Sequence, residues 1–98
     1  MNLENVEGFD WDEGNLNKNY IKHKVSWIEA EDIFKNKPLV FFDDEKHSQQ
    51  EKRFIIFGKT LKGRLLVMSA TIRKKKIRVI SVRDQNKEEK IFYKKYEK

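Results

Sequence analysis

The chain has 98 residues, no cysteine and a net charge of +6, which bounds it to one domain and excludes both a disulfide framework and a thiolate metal site. No run approaches the ~20 apolar residues a membrane span needs, and the opening Met1-Asn2-Leu3-Glu4-Asn5 lacks the basic start and apolar stretch of a signal peptide, so a soluble cytoplasmic protein is expected. The charge is unevenly divided: residues 1–50 hold 6 Lys/Arg against 11 Asp/Glu, and residues 51–98 hold 16 against 5. The second half therefore either meets a polyanion, most simply nucleic acid, or is an ordinary lysine-rich solvated surface.

Residues 1–8 carry no periodicity and read as a loose lead-in to a single domain over 9–98. Phe9-Asp10-Trp11 alternates apolar and polar side chains, which suits a short extended segment. Asp12 is placed to cap a helix reaching about Lys22, with Leu16, Tyr20 and Ile21 on one face. Ser26-Trp27-Ile28-Glu29 is a capping-box pattern. It predicts a second helix to about Lys35 that buries Ile28, Ile33 and Phe34 and ends before Pro38. Leu39 to Phe42 is a short apolar run closed by the acidic loop Asp43-Asp44-Glu45. Arg53 to Gly58 is β-rich, and Leu61-Lys62-Gly63-Arg64 has hairpin-turn composition. Leu65–Arg73 and Ile77–Arg83 read as two further strands joined by the basic turn Lys74-Lys75-Lys76. Asn86 to Glu89 repeats the capping logic and opens a terminal helix. The class is α+β: two N-terminal helices, an antiparallel sheet of about four strands, and a C-terminal helix.

Strict alternation makes one functional reading available. Leu66, Met68, Ala70 and Ile72 form an apolar face, leaving Ser69, Thr71 and Arg73 on the other; in the next strand Ile77, Val79, Ser81 and Arg83 share a face. A tight hairpin would gather Ser69, Thr71, Arg73, Ser81 and Arg83 on one surface. That surface is either a phosphate site on a rigid scaffold or simply an exposed sheet face that favours Ser, Thr and Arg.

Phe9-Asp10-Trp11-Asp12, Asn19 to Lys22-His23, and Val25 to Ala30 resemble the opening of BrnT toxins. Phe34, Pro38, Leu39, Asp43 or Asp44, His47-Ser48, Glu51, Arg53, Gly58, Gly63 to Val67, Thr71 and Arg73 continue the likeness. Ile77 to Arg83, then Glu89 and Tyr93, complete it in collinear order. The resemblance implies a RelE-like α+β fold and a ribonuclease activity that blocks translation. It further implies neutralisation by a BrnA-type antitoxin, with DNA contacted only indirectly through that partner. Three positions depart from the family's habit. Lys24 stands where a glycine is usual, Asp84 where a basic residue commonly follows Arg83, and Ser69 at a site sometimes held by His or Tyr.

Metal-free RNA cleavage needs a base for the 2′-hydroxyl, a proton for the departing 5′-oxygen, and cations around the phosphorane. The chain has two histidines. His23 follows the first helix, where it is a catalytic group or a structural link. His47 sits four residues before Glu51 and is a proton shuttle or an exposed loop residue. Glu51 and Arg53 share a face in an extended segment, either as a base and phosphate clamp or as an inconsequential ion pair. Arg64, Arg73, Arg78 and Arg83 as a group suit phosphate, and the RelE-like resemblance, which implies reliance on basic residues at the sheet surface, puts Arg73 and Arg83 first among them. Arg64, Lys74, Lys75, Lys76, Arg78 and Ser81 follow as RNA contacts, although Arg78 has the opposite parity and is a candidate brace for the terminal helix. Trp11 and Trp27 stack bases or fill the core. Asp43-Asp44-Glu45 with His47 lacks the spacing of a calcium loop and offers zinc a single His, so no metal or other cofactor is expected.

Overall fold

The computed structural model describes residues 5–47 and 50–97, with Asn15 and Asn19 described by their backbone alone; Ser48 thus lies outside the described residues. Helices α1 (Glu13–His23) and α2 (Trp27–Asp32) precede strands β1 (Val40–Asp43), β2 (Arg53–Lys59), β3 (Leu65–Arg73) and β4 (Lys76–Asp84), and α3 (Lys87–Lys94) closes the chain. The strands form one antiparallel sheet in sequence order, so the expected α+β class holds.

Local chemistry accounts for the element boundaries. At α2 the Ser26 hydroxyl accepts from Glu29 N at 3.1 Å and the Glu29 carboxylate accepts from Ser26 N at 3.2 Å. Asn86 and Glu89 repeat the device at α3, at 2.9 and 2.8 Å, each cap satisfying helix-end donors. Helix α2 is shorter than expected and passes into a 3-10 turn at Ile33–Lys35. That turn lies against β2, where a Cβ on Gly58 would come within 2.9 Å of the Ile33 Cβ, so only glycine permits the approach.

The helices bury less than their patterns promise. Ile33 is fully buried, but Ile28, Tyr20 and Ile21 stand exposed and Trp27 is 47% exposed. Trp11 alone of the two tryptophans packs on the core, with its indole N–H donating to Glu31 at 2.8 Å. Of the segment read as a loose lead-in, residues 1–4 lie outside the described residues; at its end Glu7 N donates to Lys75 O and Ile77 N to Gly8 O, and just after it Asp10 N donates to Ile77 O, at 2.7–2.9 Å along the β4 edge.

The two faces of the sheet are unequally covered. Phe54, Ile56, Leu66, Met68, Ala70, Ile77, Val79 and Val82 pack with Val25, Ala30 and Ile33 on the α1–α2 side. On the reverse face α3 seats Tyr93, fully buried, against Phe57 and Val67, and the Tyr93 hydroxyl donates to the Pro38 carbonyl. Burial, and after it the nearby Glu97, pushes the Tyr93 phenol up to about 12. Helix α3 reaches only part of this face. The remainder, around Arg53, Ile55, Ser69 and Ser81, stays open.

A β-bulge corrects the expected parity. Ser69 pairs with Ser81 but Ala70 pairs with Val79, leaving Ile80 as the additional residue. One inserted residue inverts everything beyond it. Ile77 and Val79 point to the core, Ser81 and Arg83 point away from it, and Val82 takes the inward place. Strict alternation had put Ser81 and Arg83 on the Ile77 face.

Lys76 belongs to β4, paired with Arg73, so the turn is only Lys74-Lys75, both at positive φ (50° and 65°), as a type I′ hairpin requires. Lys24 also has a positive φ, 57°, and its N–H bonds to Tyr20 O at 2.9 Å just past α1. This is the helix-ending position where glycine is at ease. Its ammonium lies 5.7 Å above the Tyr20 ring, which offsets part of the strain. Lys24→Gly is therefore expected to stabilise the fold by about 0.5–1 kcal/mol, read as a higher urea midpoint with an unchanged slope.

Candidate functional site

The uncovered part of the sheet is a cleft made of two adjoining hollows. One, about 490 Å³, is lined by Lys46, His47, Gln50, Glu51, Arg53 and Arg73. The other, about 310 Å³, includes Asp44, His47, Arg53, Ser69, Ser81, Arg83 and Glu89. Both fall in the size range of small-molecule sites. His47 and Arg53 line both, so they mark the middle. Ser69 and Ser81 lie directly opposite each other on the floor.

Each end of the cleft holds one arginine gripped by one carboxylate. Arg73 donates Nε and Nη2 to the two oxygens of Glu51, at 2.9 and 2.7 Å. Arg83 donates Nη1 and Nη2 to Glu89, at 2.7 and 3.0 Å. The Arg73 hydrogen bonds hold the Glu51 carboxyl below the usual carboxylate range. Arg83 does the same to Glu89 against an opposing effect of burial. Glu51 thus holds Arg73 in a two-pronged ion pair, with the Arg53 charge also acting on its carboxylate.

His47 is differently placed. The short 3-10 turn Glu45–His47 after β1 sets its Nδ1 2.9 Å from Asp44 Oδ2. The Asp44 side chain is 12% exposed and that of His47 is 55% exposed. A carboxylate can only accept here, so in the neutral ring Nδ1 carries the proton and Nε2 carries the lone pair. Among the described residues no three His, Cys, Asp or Glu side chains gather closely enough to hold a metal ion.

A model of the family described as the ribonuclease toxin BrnT of type II toxin–antitoxin systems matches residues 11–89. The chain belongs to this family. It is a ribonuclease toxin, an enzyme, and works within a toxin–antitoxin pair. No curated protein matches it in sequence. No helix among the described residues is long and apolar enough to cross a membrane.

Of the residues the sequence nominates, the cleft of this BrnT toxin gathers Arg73, Arg83, His47, Glu51, Arg53 and Ser81. Arg73 and Arg83 do not converge. Arg83 lies opposite Val67 in the register, six residues from Arg73 along β3, roughly 20 Å at ~3.3 Å per residue. They bracket the cleft, with His47 and Arg53 between them. Lys74 and Lys76 extend its basic character past Arg73, while the Lys75 ammonium stands 4.0 Å from Glu7.

Three nominated residues lie elsewhere. Arg78 donates to Asp12 at 2.8 Å and stands 3.7 Å from Asp10, bracing the N-terminal segment rather than α3. His23 sits at the end of α1, where its carbonyl accepts from Arg64 at 3.4 Å. Arg64 fastens the frame: it holds both oxygens of Asp84 (2.7 and 3.0 Å), Glu29 (2.9 Å) and the Lys24 carbonyl (2.9 Å). Asp84, opposite the buried Leu66, is thus turned from the cleft and leaves its charge balance alone.

Asp44 and Glu89, with Lys46 and Gln50 in the lining, are members of the site that the sequence reading did not nominate. A carboxylate three residues before a loop histidine was the available signal for the first. The second was hidden by its role in the α3 cap.

Proposed function

We propose that the toxin cuts single-stranded RNA in this cleft without a metal ion, blocking translation in the cytoplasm until a BrnA-type antitoxin covers the site. The observation that carries the reading is His47, held by Asp44, lying beside Arg53 between two arginine forks. His47 Nε2 takes the proton of a ribose 2′-hydroxyl, and the freed oxygen bonds to the adjacent phosphorus. The bond to the 5′-oxygen breaks, leaving a 2′,3′-cyclic phosphate and a 5′-oxygen that takes its proton from water. Arg53 and Arg83 balance the charge of the phosphorane, since guanidinium stays protonated throughout. Substrate phosphate must compete with Glu89 and Glu51 for the arginines. An acidic segment of the antitoxin would occupy the same forks, excluding RNA by charge and bulk.

Expression of the toxin alone should arrest growth, and Arg83→Ala should relieve the arrest. In purified form that variant should lose about 10- to 150-fold in cleavage rate, the worth of one or two charge-assisted hydrogen bonds. Wild-type cleavage should persist in EDTA and yield cyclic-phosphate ends. Salt-dependent RNA binding with no strand scission would overturn the enzymatic reading in favour of a phosphate-holding module.

A further inference from the structure

Beyond Glu89, on the side away from Arg83, lies a shallow hollow lined by Phe42, Phe57, Phe92, Asn86, Glu88 and Glu89. Phe42 stacks on Phe57 at 5.9 Å and meets the edge of Phe92 at 6.2 Å. Phe57 and Phe92 join α3 to the sheet, so their packing is structural. Phe42 is another matter. It is 42% exposed on the edge strand β1, and part of a large ring faces solvent beside the cleft.

Three observations fix what suits this hollow. Its solvent-facing aromatic surface is the exposed part of the Phe42 ring, backed by the buried Phe57, and an aromatic ring accepts any nucleobase in a stack. Its rim carries the carboxylate of Glu88, which repels phosphate and can accept a hydrogen bond from a base edge, beside that of Glu89, which Arg83 and the Asn86 N–H engage. And it adjoins the cleft, the two sharing Glu89 as a wall. Phe57, Val67 and Arg83 form one cross-strand row, which places Arg83 about 10 Å from Phe57 at ~4.8 Å per strand. A strand gripped by its phosphate at Arg83 therefore has its neighbouring base within reach of the rings.

We propose that Phe42, held in place by Phe57 and Phe92, is a stacking subsite for one unpaired nucleobase of the RNA, next to the nucleotide whose phosphate Arg83 holds. This rests on the cleft being where RNA is cut. The subsite restricts the substrate to single strands, because a base in a duplex cannot reach it.

The test uses a short single-stranded RNA and the full-length toxin. Phe42→Ala should lower kcat/KM by about 5- to 150-fold, the range of one base–aromatic stack, and Phe42→Trp should restore it to within a few-fold. Removing the base next to the cut, as an abasic nucleotide, should cost the wild type a similar factor and cost Phe42→Ala almost nothing more. Equal abasic losses in both proteins, or an unchanged rate in Phe42→Ala, would overturn the subsite. A 2-aminopurine at that position reads stacking by binding alone. Its quenching should vanish in Phe42→Ala and return in Phe42→Trp, and quenching that survives in Phe42→Ala counts against the proposal. A wild type that binds and quenches but never cuts refutes the ribonuclease cleft and leaves the stacking result standing.

Discussion

Replacing His47 with alanine should slow RNA cleavage by about 10²- to 10⁴-fold, the usual worth of a positioned general base, while leaving the fold as stable as before. The first half follows from the Asp44–His47 contact, which presents Nε2 as an acceptor in the middle of the cleft. The second follows from the exposure of the imidazole, since removing it opens no cavity. Asp44→Asn should give a smaller loss, because an amide oxygen still accepts from Nδ1 but no longer stabilises the imidazolium that forms. Single-turnover cleavage of one oligonucleotide, with urea unfolding of each variant, separates chemistry from stability. A His47→Ala enzyme cutting within about threefold of wild type, well below the expected loss, would remove His47 from the mechanism.

The largest stability effect is expected at Arg64, a residue outside the cleft. Arg64→Ala should cost about 2–3 kcal/mol, since it strips hydrogen bonds from two carboxylates and two helix-end carbonyls at once. The affected groups join α1, α2 and the end of β4, so urea unfolding should show the loss as a lower midpoint. The pH dependence has a definite sign. The Arg64 hydrogen bonds hold the Asp84 carboxyl below its usual range, against burial. For Glu29, burial acts upward, but Arg64 and Ser26 outweigh it and the net shift is downward. Carboxyls depressed in the folded state contribute stability that is complete above their unfolded values and lost as pH falls through the folded ones. The wild type should therefore begin to lose this contribution only as pH falls below the ordinary carboxylate range, and Arg64→Ala should have a flatter acid limb. Parallel acid limbs would show that the network adds nothing to stability.

The elements were legible where local chemistry decides them. Both capping boxes and the four strands follow from residues within a few positions of each other. The faces were less so. A two-residue period reads Ile77, Val79, Ser81 and Arg83 as one row, and nothing in that stretch announces that Ile80 is bulged. Burial of α1 and α2 was overestimated for a related reason. Trp27 and Ile28 occupy the right helical positions, but a helix this short turns only one flank to the sheet.

Within the site, residue type was readable and partnership was not. Arginines, a loop histidine and a nearby carboxylate were evident in the chain. That Glu51 would take Arg73, and that Glu89 would serve both a helix cap and Arg83, depends on strand pairing across long sequence separations. Lys24 and Asp84 look like departures from a working toxin when read in line. In three dimensions they belong to the Arg64 network behind the sheet, away from the cleft.

The bulge at Ile80 marks the one place in β4 where a codon could be lost without turning the strand over. Deleting that residue would join Val79 directly to Ser81, restoring uniform alternation with Val82 still inward and Ser81 and Arg83 still on the cleft face. The same three-nucleotide loss at Val82 would instead drive Arg83 toward the hydrophobic interior, disarming the toxin and unsettling its core together.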